Sequence, residues 1–126
     1  MTKAGRRIRK IHVWIGVREG TDDDWFRYFD VEGAGAACGF CRDTGMTWFD
    51  FDFFSAYFAG EVVDVEHVTG EVAYSEQFDA ALGAACEEHG VRQADACFTL
   101  IDFDGATHVG RRYHGLTLVG VFEFSA

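Results

Sequence analysis

The chain contains no proline. Neither a cis-prolyl turn nor a proline-rich linker can therefore form part of it. Long apolar runs are missing as well. The stretch Ile11 to Val17 holds His12 and is closed by Arg18 and Glu19, so it is too short for a bilayer span. It also lacks a small-residue cleavage site and does not read as a secretion signal, so a cytoplasmic location is expected. Positive charge is scarce: 11 Lys and Arg stand against 21 Asp and Glu, a net charge of −10. Gripping phosphates requires clustered cations. The balance therefore argues against direct nucleic-acid binding and favours a basic partner.

With 126 residues, 48% hydrophobic and 16% aromatic, the chain has the size and composition of one globular domain with a substantial core. Its charge is uneven. Residues 1–18 hold six cations and no acid, leaving five cations against 21 acids in residues 19–126. Residues 1–10 are read as a basic, solvated N-terminal arm and residues 11–126 as a single α+β domain.

Four cysteines, Cys38, Cys41, Cys86 and Cys97, are expected to be reduced thiols. Cys38-Gly39-Phe40-Cys41 has redox-motif spacing, but no strand pattern leads into it and no cis-proline can back it. Cys38, Cys41, Cys86 and His89 could also be written as a zinc quartet. Against that, Phe78, Leu82, Ala85, Cys86 and His89 recur at helical spacing, which accounts for Cys86 as a small buried hydrophobe.

The alternation in Lys10–Val17 predicts a first strand with a heavily buried face. Thr21 followed by Asp22, Asp23 and Asp24 predicts a capped helix whose apolar side is Trp25, Tyr28 and Phe29. A short helix is expected around Ala36–Asp43, stopped by Gly45. Met46–Gly60 is the densest aromatic stretch and its period is ambiguous; a short helix capped by Asp50 is preferred over a strand. Glu61–Tyr74 is expected to hold a short strand or a hairpin bending near Thr69-Gly70. Ser75 should cap a helix over Glu76–His89 that ends at Gly90. Ala94–Phe103 and His114–Phe124 read as two closing strands, most simply an antiparallel pair, with Leu116, Leu118, Phe122 and Phe124 on one face. The order of elements predicts an α+β fold with a small, mostly antiparallel sheet covered by helices.

Paired carboxylates can split their pKa values or hold a hard cation, so Asp50 and Asp52, with Glu61, Asp64 and Glu66 downstream, are the candidates for metal-dependent or acid/base chemistry. No nucleophile with its base, glycine-rich phosphate loop or paired metal-binding histidines accompany them. The pattern favours binding over catalysis and calls for no cofactor.

Several pieces together carry a likeness. They are His12-Val-Trp14-Ile-Gly16, Trp25-Phe-x-Tyr28-Phe29, Phe40-Cys-x-Asp43-x-Gly45-Met-x-Trp48-Phe49-Asp50-Phe-Asp52-Phe53, Tyr74-Ser75-x-x-Phe78 and Leu116-x-x-x-Gly120-x-Phe122-x-Phe124. In this order, over Ile11–Phe124, they resemble the immunity protein 22 family of bacterial polymorphic toxin systems. The resemblance implies a small α+β protein, without catalytic residues, that protects a cell by occupying a cognate toxin domain. Combined with the charge, it implies a basic toxin domain, a nuclease, met by an acidic face. The candidate contact residues are Asp22, Asp23, Trp48, Asp50, Asp52, Asp64 and Glu66. The competing reading is a small metal-dependent enzyme or zinc-stabilised domain using Asp50/Asp52 or Cys38/Cys41/Cys86/His89. A further one is an interaction protein that self-associates through exposed aromatics.

Overall fold

The computed structural model describes residues 7–126. Met1 to Arg6, the first part of the basic arm, lie outside the described residues. Ile8 to Lys10, read from sequence as the rest of that arm, already belong to strand β1, Ile8–Gly16.

β1 is buried on both faces from Ile11 to Gly16. Such a strand has to sit in the middle of a sheet with a covering layer on each side. Five strands accordingly form one antiparallel sheet in the order β2-β3-β1-β5-β4, where β2 is Phe54–Asp64, β3 Gln93–Ile101, β4 Arg112–Tyr113 and β5 Leu116–Ser125. The two closing strands do not pair with each other as expected, because β1 lies between them.

Trp14 on one face of β1 stacks on Phe98, with ring centroids 4.6 Å apart, and meets the edges of Phe40 and Tyr113. Three helices cover this face: α1 (Asp22–Tyr28), α2 (Val31–Ala34) and α3 (Gly39–Thr44), contributing Trp25, Tyr28, Val31 and Phe40. On the opposite face Ile11, Val13 and Ile15 pack with Val68, Leu82 and Cys86 from α4 (Glu66–Thr69) and α5 (Asp79–Glu88). The result is the expected α+β fold, here in three layers.

A β-bulge reverses one expectation. Val13 pairs with Gly120 but Trp14 pairs with Leu118, which leaves Val119 as the extra residue. One inserted residue exchanges the two faces of everything beyond it. Leu116 and Leu118 therefore pack under α1–α3, whereas Phe122 and Phe124 pack with α5.

The helix ends follow local chemistry. Thr21 and Asp24 form a reciprocal capping box at α1, and α3 stops at Gly45 in the left-handed region, φ 72°. Three segments depart from expectation. In Met46–Gly60 the helix shrinks to a single 3-10 turn, Phe51–Phe53, which Asp50 does cap by accepting the Asp52 N–H. Beyond it the chain runs as β2, because aromatic side chains fit a pleated, half-buried surface and β3 offers an edge to pair with. In Glu61–Tyr74 the turn near Thr69-Gly70 closes helix α4 rather than a hairpin. Ser75 is buried in a 3-10 turn, and α5 starts four residues later at Asp79, once Phe78 has been wound into stacking contact with Phe122.

Candidate functional site

From Asp43 through Val91 the sequence has 11 acids and no Lys or Arg. Folding gathers this segment into the end of α3, the Phe51–Phe53 turn, β2, α4 and α5. Four arginines are engaged elsewhere: Arg9 pairs with Asp102, Arg18 with Asp22 and Asp95, Arg27 with Asp24, and Arg111 with Asp43. Among the described residues, none of the ten acids from Asp50 to Glu88 forms an ion pair. Their charge is left facing solvent.

β2 runs along the edge of the sheet through this acidic segment. Trp48, 58% exposed, and Phe51, 40% exposed, stand just before it, and Phe58 and Val62 are exposed along it. Asp50 and Asp52 lie at the turn that opens β2, whereas Asp64 is its last residue and Glu66 opens α4. β2 pairs along β3 from Leu100 to Gln93, seven residue steps or about 23 Å. The two carboxylate groups are therefore at opposite ends of the strand and do not form one cation-binding or acid/base cluster. Asp50 is occupied as a turn cap.

Asp22 is linked to the same strand from the α1 layer through Arg18. The Arg18 guanidinium lies 3.6 Å over the Phe58 ring and holds the Asp22 carboxylate. Arg18 also accounts for Asp95 of β3, whose carboxylate accepts the Arg18 backbone N–H at 2.9 Å. Asp23 is exposed in the same helical turn. Of the candidate contact residues, Asp22 is thus tied to Phe58 on one face of the sheet, and Glu66 follows the end of β2 in α4 on the other. Arg18, Phe58 and Val62 were not singled out from the sequence. The strand reading of the aromatic stretch was the signal that could have revealed the last two.

The zinc quartet does not assemble. Cys38 and Cys41 are buried in the Trp14 cluster and Cys86 in the Leu82 cluster, with the sheet between them. Cys38 instead caps α3, its sulfur accepting the Cys41 N–H. Burial pushes the Cys41 thiol up to about 12, Cys86 to about 11 and Cys97 to about 12, so none is a nucleophile at neutral pH. Among the described residues no group of three or more His, Cys, Asp or Glu is placed to hold a metal ion. In the recess beside α1, burial and the hydrogen bond to Asp43 raise the Tyr28 phenol far above its ordinary range. It too is no acid or base for chemistry near neutrality. No helix among the described residues is long and apolar enough to cross a membrane.

What the molecule presents along β2 is an acidic, aromatic-bearing edge. Neither the curated proteins nor the solved structures hold a match to this chain. The family model described as Immunity protein 22 matches residues 11–125. On that span, nearly the whole folded chain, the protein belongs to the Immunity protein 22 family.

Proposed function

We propose that this protein neutralises a cognate toxin domain by binding it on the β2 side, and that the toxin is a basic nuclease. Binding blocks the surface with which the nuclease would grip phosphates. It takes place in the cytoplasm, without catalysis, cofactor or direct contact with nucleic acid. The observation that carries the reading is the segment Asp43–Val91, with 11 acids and no Lys or Arg, set on and around an edge strand with exposed aromatic residues. Opposite charge accelerates encounter and sets orientation more than it supplies affinity. Affinity then comes from a few buried anchors. Trp48 is the anchor proposed here, with Asp22, Asp23, Asp50, Asp52, Asp64 and Glu66 around it. An interface of ordinary size covers roughly 800 Å² on each partner.

The test is co-expression with the toxin encoded beside this gene, scored by growth, together with the association rate of the purified pair as a function of ionic strength. Rescue of growth and a rate that falls steeply with salt are expected. No rescue overturns the immunity reading, and a salt-independent rate overturns the steering by charge.

A further inference from the structure

The sheet ends in two unlike edges. One comprises β4, only Arg112 and Tyr113, and beyond it the outer side of β5, which carries the Val119 bulge and Glu123 and is tied at Ser125 to the Gln77 side chain. Shortness, a bulge, charge and side-chain cover are usual protections against unwanted strand pairing. β2 forms the other with 11 residues. Its regular run, Phe54–Phe58, pairs with Leu100–Ala96 on one side, and among the described residues no further strand or backbone hydrogen bond occupies the other. No residue from Phe53 to Gly60 is charged or proline. Ser55, Ala56 and Phe58 are exposed. The irregularity in β2 falls beyond the run, between Phe58 and Val63. The run Phe54–Phe58 thus has no charged residue, proline or bulge of its own, and its outer backbone edge is uncovered among the described residues, the Arg18 guanidinium lying over the face of Phe58. Alternate residues of an antiparallel strand turn N–H and C=O away from the existing neighbour, and such a row is a template for one more strand.

We propose that this edge accepts a strand of the toxin domain, extending the sheet by one; the inference rests on the toxin-binding reading above. Charge selects the occupant. A second copy of this chain, paired antiparallel about the middle of the run, would set the Asp50–Asp52 end of one β2 against the Glu61–Asp64 end of the other. Like charges opposed across a ladder are destabilising. A toxin strand flanked by Lys or Arg meets both acidic ends with opposite charge. The main-chain ladder supplies attachment, and Phe58 on the strand with Trp48 before it supplies apolar contact.

The experiment is amide hydrogen exchange of this protein alone and with the toxin domain encoded beside its gene, together with two variants, Ser55→Pro and Ala56→Pro. Adjacent residues aim their N–H groups oppositely, so one of the two prolines removes only an outward donor and retains the wild-type melting temperature. Toxin should slow exchange within Phe54–Phe58 by about tenfold or more, and the folded proline variant should bind about tenfold more weakly. A complex that leaves exchange in this run unchanged overturns the strand-addition proposal and leaves toxin binding standing. Absence of any complex overturns both. Slowed exchange without toxin, with a dimer in sedimentation, gives the edge to a second copy and also overturns the proposal. Should neither variant fold, the exchange data decide alone.

Discussion

The guanidinium of Arg18 is stacked on the Phe58 ring at 3.6 Å while pairing with Asp95 beneath and Asp22 above. It joins α1, β2 and β3 at one point. The two carboxylates are not equivalent. Asp95 is buried, with its side chain 11% exposed, whereas that of Asp22 is 71% exposed. Removing one partner of a buried pair leaves an uncompensated charge, while an exposed pair contributes little. Arg18→Ala is expected to cost about 3–5 kcal/mol and Asp22→Ala less than about 1 kcal/mol, measured by urea denaturation. Equal losses would show that neither the Asp95 pair nor the stacking on Phe58 adds stability beyond the exposed pair with Asp22.

Two glycines give opposite outcomes for the same substitution. A Cβ on Gly39 would stand 2.5 Å from the Tyr28 ring, whereas a Cβ on Gly83, exposed within α5, meets nothing within 4 Å. Overpacking a core costs about 1–3 kcal/mol, and an unobstructed helical Gly→Ala gains about 0.5–1 kcal/mol. Gly39→Ala should therefore lower the melting temperature and Gly83→Ala raise it. A rise with Gly39→Ala would mean that the Tyr28–Asp43 hydrogen bond does not hold the ring in place.

The capping box has a pH signature. The Asp24 carboxyl is held below its ordinary pKa, first by the Thr21 backbone N–H and then by the Thr21 side chain. A group whose folded pKa is depressed stabilises the fold above its unfolded pKa, and that contribution fades as pH falls through the folded value. Wild type should therefore lose this part of its stability only on acidification below the usual carboxylate range. Asp24→Asn should be less stable than wild type at pH 7, with the gap narrowing towards pH 3. A gap that stays constant with pH would assign the loss to packing instead.

Buried thiols predict chemical silence. Cys38, Cys41, Cys86 and Cys97 are all free and buried, and burial raises the pKa of Cys41, Cys86 and Cys97. Titration with an aromatic disulfide reagent at pH 8 should leave all four unreacted in the native protein and modify all four in denaturant. Fast native labelling at Cys38 and Cys41 would revive the redox reading of that pair.

The features legible in the sequence were those decided within a few residues. Thr21 and Asp24 cap α1, Gly45 ends α3, and Gly90 follows α5 with φ 70°, because each depends on short-range hydrogen bonding and on a glycine's access to the left-handed region. The family likeness also spans the right residues, Ile11–Phe124 against a match over 11–125. Features decided by distant partners were not legible. Whether Phe54–Asp64 is helix or strand depends on β3, 29 to 46 residues away, and the face taken by Phe122 and Phe124 depends on a bulge formed against Val13. Sequence periodicity carries no record of either. Trp48, which reads from the sequence as core more than as interface, is exposed, and Phe49 instead turns inward against Phe40.

That exposure separates two kinds of variant at the proposed toxin face. Trp48 makes no core contact of the kind seen for Trp14 and Trp25, so Trp48→Ala should leave the melting temperature within about 1 °C of wild type, as expected for surface substitutions. As a central anchor it should cost about 2 kcal/mol or more in toxin binding, chiefly through faster dissociation. Asp50 also caps a turn, so the charge test is better made at Asp52 and Asp64. Asp52→Lys with Asp64→Lys should slow association at low salt and flatten its salt dependence, with a much smaller effect on dissociation. Stopped-flow association and surface-based dissociation kinetics against the neighbouring toxin domain separate the two effects. If Trp48→Ala and the double charge reversal both leave the kinetics unchanged, the toxin binds elsewhere on the molecule, away from the β2 edge.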